Sequence, residues 1–196
     1  MFDPLVPTDS IQRLAVKLKA KSESFVRQGH PWIFESSIVK INKEGKAGDI
    51  AIIFDRKKNK YIGLGLYDPH SPIRIKLLAS GEKANINQEF FNARFQEAYF
   101  IRASLVEKAT NAFRLIYGEN DKMPGLIVDV YKDVAVIKLY SAIWFPYLHM
   151  IVHSLSELID PKAIVLRLSR LMQKRRLIHL VLKMDRRFMG IWKIRK

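Results

Sequence analysis

Five histidines and no cysteine narrow the chemistry that this 196-residue chain can perform. Without cysteine there is no thiolate nucleophile, no thiolate metal site and no disulfide. His149 and His153 stand four residues apart on an expected helix and could offer two imidazoles to one metal ion. Zinc would need at least one further ligand, and none is suggested, so no metal site is assigned. Gly63-Leu64-Gly65 supplies two of the three glycines of a phosphate-cradling loop, without the helix whose N-terminus would face the phosphate. Its apolar neighbours make it a strand in which glycine permits close packing. Asp129 closes an apolar run where a ribose-binding acid could sit, but no Gly-rich turn precedes it, and it reads as a hairpin-end residue. No general acid/base pair and no Ser-His-Asp arrangement is found. No catalytic, cofactor-binding or metal-binding residue is assigned.

The remaining candidates suit a polyanion with aromatic bases. In His30-Pro31-Trp32, an indole could stack on an unpaired base; the competing expectation, which we adopt for Trp32, is a ring plugging a core beside Phe34. Arg27, Gly29 and His30 are the better contacts, being polar or able to bring backbone close to phosphate. Arg74 and Lys76 alternate with Ile73, Ile75 and Leu77, which places both on one outward strand face. With Lys17 and Lys19 they would form a basic stripe. Arg56, Lys57, Lys58 and Lys60 are either a solvated hairpin tip or part of the same surface.

The formal net charge of +15 is unevenly placed. Residues 1–160 hold 22 Lys/Arg against 18 Asp/Glu, whereas residues 161–196 hold 12 against the single acid Asp185. The body alone therefore makes only a modest case for polyanion binding. Met1-Phe2-Asp3-Pro4-Leu5 lacks a secretory pattern, and no apolar run approaches the ~20 residues of a membrane helix, so a cytoplasmic protein without membrane contact is expected.

The elements that must position these residues follow from periodicity. Leu14, Val16 and Leu18 alternate with polar residues as in a half-buried strand, and Ser22 to Arg27 suits a turn or two of helix ended by Gly29. Short apolar runs at 38–41, 49–54, 61–67 and 73–78, separated by turn formers, predict a small β-barrel. From Gln88 to Lys108 the period lengthens and predicts one amphipathic helix of roughly five turns. Runs at 113–117, 126–131, 134–140 and 163–168, with an apolar-striped helix after Pro146, predict a small α+β domain with a mixed or antiparallel sheet. The domains expected are 1–80 (barrel), 81–110 (connecting helix), 111–173 (α+β) and 174–196 (an atypical basic tail).

Several phrases in order carry a resemblance. Gly29-His30-Pro31-Trp32-Ile33-Phe34, Ile62-Gly63-Leu64-Gly65-Leu66-Tyr67-Asp68-Pro69 and Ser71-Pro72-Ile73-Arg74 resemble a PUA domain, a small RNA-binding barrel, in the variant carried by S-adenosylmethionine-dependent ribosomal RNA methyltransferases. Arg114-Leu115-Ile116-Tyr117-Gly118-Glu119, Asp121, Pro124-Gly125-Leu126-Ile127-Val128-Asp129 and Tyr131 are similar to that family's middle domain. The resemblance implies 5-methylcytosine formation in large-subunit ribosomal RNA, performed by a further domain that holds S-adenosylmethionine and uses a cysteine nucleophile. Neither that domain nor any cysteine is in this sequence.

Likeness is lost after Lys174. A frameshifted or truncated reading frame accounts for that change; a genuine short basic tail is the other reading. The expectation is an RNA-binding module that orients ribosomal RNA through Arg27, Gly29, His30, Trp32, Arg74 and Lys76, with no cofactor of its own. A non-catalytic remnant that forms a homodimer, or an adaptor docking a separate methyltransferase domain, is the alternative.

Overall fold

The computed structural model describes residues 11–107, 110–169, 180–185 and 188–193. The chain divides into two units: residues 11–85 together with Ala142–Pro146, and residues 86–141 with those from 147 onward.

The first unit is built on a six-stranded sheet. Its elements are β1 (Arg13–Leu18), α1 (Ala20–Arg27), β2 (Trp32–Phe34), β3 (Ile38–Ile41), β4 (Ile50–Phe54), β5 (Tyr61–Tyr67) and β6 (Ile73–Ser80). The strand order is β2-β6-β5-β4-β1-β3, antiparallel except for the parallel pair β1–β4. Laid flat, six strands at about 4.8 Å spacing would hold the edges β2 and β3 about 24 Å apart. The 3-10 turn Glu35–Ser37 alone joins them, and four residue steps reach at most about 14 Å. The sheet must therefore curl. The expected barrel is present as this curled sheet, with its two edges joined by the turn rather than by strand pairing.

The inner face carries the alternating set foreseen for β1: Leu14, Val16 and Leu18 are fully buried with Ile33, Ile53 and Ile75. Gly63 and Gly65 lie inside β5. A Cβ on Gly65 would stand 2.3 Å from the Lys76 carbonyl oxygen and one on Gly63 2.9 Å from that of Ala79, so both glycines permit close strand approach.

The second unit contains α2 (Gln88–Ile101), α3 (Ala103–Glu107), β7 (Ala112–Tyr117), β8 (Leu126–Tyr131), β9 (Val134–Leu139), α4 (Leu148–Ile159), β10 (Ala163–Leu168), β11 (Leu180–Asp185) and β12 (Phe188–Lys193). The strands form one mixed sheet in the order β12-β11-β10-β9-β8-β7, with β9 and β10 parallel across the α4 connection. Strands β11 and β12 extend its edge as a hairpin within the segment expected to be an atypical tail; residues 174–179, 186–187 and 194–196 of that segment lie outside the described residues.

The single helix expected over Gln88–Lys108 is broken at Arg102. Its guanidinium bonds the Ala98 carbonyl at 2.8 Å and clamps the Asp121 carboxylate at 3.1 and 2.8 Å. The Arg102 N–H bonds Tyr99 in a tighter i→i+3 step. Helices α2 and α4 are tied by Gln88 Nε2, which donates to Ser154 Oγ (2.8 Å) and the Met150 carbonyl (3.1 Å).

Candidate nucleic-acid interface

Helix α1 ends in a left-handed cap. Gly29 has φ +78°, its N–H bonds the Val26 carbonyl and the His30 N–H reaches back to that of Phe25, each at 2.9 Å. This is the paired 5→2 and 6→1 pattern of a glycine-terminated helix. Gly29 thus turns the chain so that His30 leads directly into β2.

Within β2 the side chains alternate: Ile33 points into the core at 3% exposure, while Trp32 (39%) and Phe34 (44%) face out. The expectation that Trp32 plugs the core beside Phe34 is overturned; alternation puts those two rings on one face and Ile33 on the other, and it is Ile33 that is buried. His30 lies edge-on to Trp32 with ring centroids 6.1 Å apart and tilted against Phe25 at 6.0 Å. His30 Nδ1 stands 3.2 Å from both the N–H and the carbonyl oxygen of Trp32. With its proton on Nε2 the ring accepts from the N–H; with a proton on Nδ1 it donates to the carbonyl. Phe25, His30, Trp32 and Phe34 thereby form one exposed aromatic edge. Phe25 was missed in the sequence, since its neighbour Val26 takes the buried side of a helix only two turns long.

The same unit exposes a cluster of cations beside α1. The Arg27 side chain is half exposed, 3.7 Å from Asp55. The Asp55 carboxylate accepts the Lys58 N–H at 2.6 Å. That bond holds the Asp55 pKa below its ordinary value, burial opposing and the Arg27 charge assisting. The Arg56 N–H donates to Glu23 on α1 at 2.8 Å. The exposed run Arg56–Lys60 is thereby pinned beside the end of α1.

Arg74 and Lys76 are placed differently from expectation. Arg74 is a bulged residue: Ile33 pairs with Ile75 and Phe34 with Ile73, leaving Arg74 without a register partner. Its guanidinium is 13% exposed, paired with Glu35 and bonded to the Pro69 carbonyl. Lys76 is buried, with Nζ 3.2 Å from Asp68 Oδ2. The outward basic stripe is thus absent at these two positions. Both cations instead secure the 68–72 turn, whose acceptors could not be read from strand alternation. Lys17 likewise donates to the Asp55 carbonyl at 2.7 Å.

Asp129 pairs across strands with Arg114 at 2.7 and 3.3 Å, which raises the Arg114 pKa. His153 lies 3.4 Å from Glu157. Among the described residues no group of three His, Asp or Glu is arranged to hold a metal ion, and no helix is long and apolar enough to cross a membrane.

These features lie on a unit with known relatives. Residues 16–80 match a PUA-like domain. Over 169 residues the chain is 38% identical to a protein of Deinococcus radiodurans named ribosomal RNA large subunit methyltransferase, covering 84% of this chain and 41% of that one. It is 36% identical over 128 residues to ribosomal RNA large subunit methyltransferase I of Alteromonas mediterranea, covering 65% and 32%. The chain thus spans about two fifths or less of these relatives' lengths. Its fold is similar to that of a protein described as a SAM-dependent methyltransferase from Streptococcus mutans, at TM-score 0.71 and 14% identity over 93% of this chain and 49% of that one. It is also similar to a protein described as a methyltransferase and solved with SAH, at TM-score 0.69 and 17% identity over 81% and 40%.

Proposed function

We propose that this chain is the RNA-binding portion of a large-subunit ribosomal RNA methyltransferase, orienting the RNA for cytosine methylation in the cytoplasm. The observation that carries the proposal is the exposed aromatic edge of His30 and Trp32 on the unit that matches a PUA-like domain, which also exposes Arg27 and the Arg56–Lys60 turn. Aromatic faces take unpaired bases and the cations take phosphates. Gly29 aims the edge, while Arg74 and Lys76 support it by anchoring the 68–72 turn. The methyl donor of the full protein is S-adenosylmethionine, bound outside these residues. Titration of labelled ribosomal RNA fragments across salt concentrations tests the proposal: affinity should fall steeply with salt, and calorimetry with S-adenosylmethionine should give no saturable heat. Salt-independent affinity, or tight donor binding, would refute it.

A second reading, an adaptor that docks a separate methyltransferase domain or pairs with its own copy, is favoured by one observation. Phe100 and Ile101 are 81% and 65% exposed at the end of α2.

A further inference from the structure

Among the described residues, the sheet of the second unit has one buried face and one whose side chains are half-buried or exposed. Along β8 and β9, Leu126, Val128, Ala135, Ile137 and Leu139 are buried, and Ile164, Leu166 and Leu168 continue the set on β10. The alternate residues face the other way. Register aligns four of them in a row across four strands: Tyr117 opposite Ile127, Ile127 opposite Lys138, and Lys138 opposite Arg167. Beyond the end of β9, Tyr140 is exposed as well, and Lys138 Nζ stands 4.9 Å from its ring centroid. Arg114, one row away, lies 5.1 Å from the Tyr117 ring.

The row holds two cations and no acid. The nearest carboxylate in the adjoining row, Asp129, is already engaged by the guanidinium of Arg114. Tyr117 and Tyr140 are 49% and 46% exposed, so each ring keeps surface for a further stacking partner. Aromatic rings on an open sheet face, interleaved with cations, complement a strand that is negatively charged along its backbone and bears flat, unpaired bases. A base-paired duplex offers its phosphates but no free base face.

We infer that this open face is a second nucleic-acid contact, taking a single-stranded RNA segment with bases on Tyr117 and Tyr140 and phosphates on Lys138 and Arg167. The inference rests on the RNA-binding reading above but uses different residues in the other unit, so the two can fail separately.

The test uses the whole chain, a single-stranded RNA labelled with photoreactive uridine, and affinity measured across salt. Lys138→Gln with Arg167→Gln should lower the salt slope by about 1.4, the loss of two phosphate contacts to a single strand. Tyr117→Ala should weaken binding about tenfold, with Tyr117→Phe close to wild type. Crosslinks should map to peptides containing Tyr117 or Tyr140 and persist in Trp32→Ala. Unchanged slope and affinity in folded sheet variants, with crosslinks confined to residues 25–34, would overturn the second contact alone. Absence of RNA binding by the wild-type chain would overturn both readings. Crosslinking of these tyrosines to a co-purifying protein in preference to RNA would assign the face to a protein partner and overturn the inference.

Discussion

Trp32 and Lys76 stand opposite one another across the β2–β6 pair. Directly paired residues share a sheet face, yet the indole is 39% exposed and the lysine 7%. The ammonium is turned to Asp68, 3.2 Å away, whose other oxygen accepts the His70 N–H at 3.1 Å. One face therefore presents an aromatic surface at its rim and a shielded ion pair behind it.

Replacing Lys76 by methionine keeps the stem and removes the cation facing Asp68. Breaking a buried pair from one side is costly, and the variant should lose about 3 kcal/mol in denaturant unfolding. Adding Asp68→Asn should restore part of that loss. An unchanged midpoint for Lys76→Met would show that the pair does not hold the 68–72 turn.

Gly29→Ala separates cap from contact. Its Cβ would meet nothing nearer than Ser80 Oγ at 3.9 Å, so the penalty is that of a left-handed φ in an L-residue, about 1 kcal/mol. Chemical unfolding should register that loss. RNA affinity measured well below the midpoint should stay within twofold, because the cap still closes; a large affinity loss would make Gly29 a contact.

Arg102→Met should destabilise the second unit by about 3 kcal/mol, since the Asp121 carboxylate is 5% exposed and its guanidinium partner makes two bonds to it. Differential scanning calorimetry of variant and wild type measures this, and a shift of less than one degree would contradict it.

Asp55 sets a pH dependence. Its folded pKa lies below the ordinary 3.8, so its stabilising contribution is complete above that value and is lost as pH falls through the folded pKa. Stability should decline on acidification below about pH 4, and Asp55→Asn should flatten that limb. An identical acid limb in the variant would remove Asp55 from the explanation.

Strand periodicity was legible because burial on one face imposes a period of two: Leu14, Val16 and Leu18 are all fully buried, and 61–67, 126–131 and 163–168 are strands with the expected bounds. Alternation alone could not separate a solvated cation from one neutralised inside. Arg74 and Lys76 have the outward pattern, but a bulge and the acceptors of the 68–72 turn draw them in. The break at Arg102 escaped notice for a related reason. Apolar spacing continues through it, and the tie that bends the chain comes from Asp121, nineteen residues away. For Trp32, hydrophobicity argued for the core; alternation sets Trp32 and Phe34 against Ile33 but does not say which side faces inward, and the buried side is that of Ile33.

The most direct test of the account is the affinity of His30→Ala/Trp32→Ala for a large-subunit ribosomal RNA fragment, beside the wild-type chain at one fixed salt concentration. Both side chains are exposed, so folding should be unaffected, and loss of the stacking edge should weaken binding about tenfold or more. Equal affinity of the folded variant and the wild-type chain would contradict the central claim.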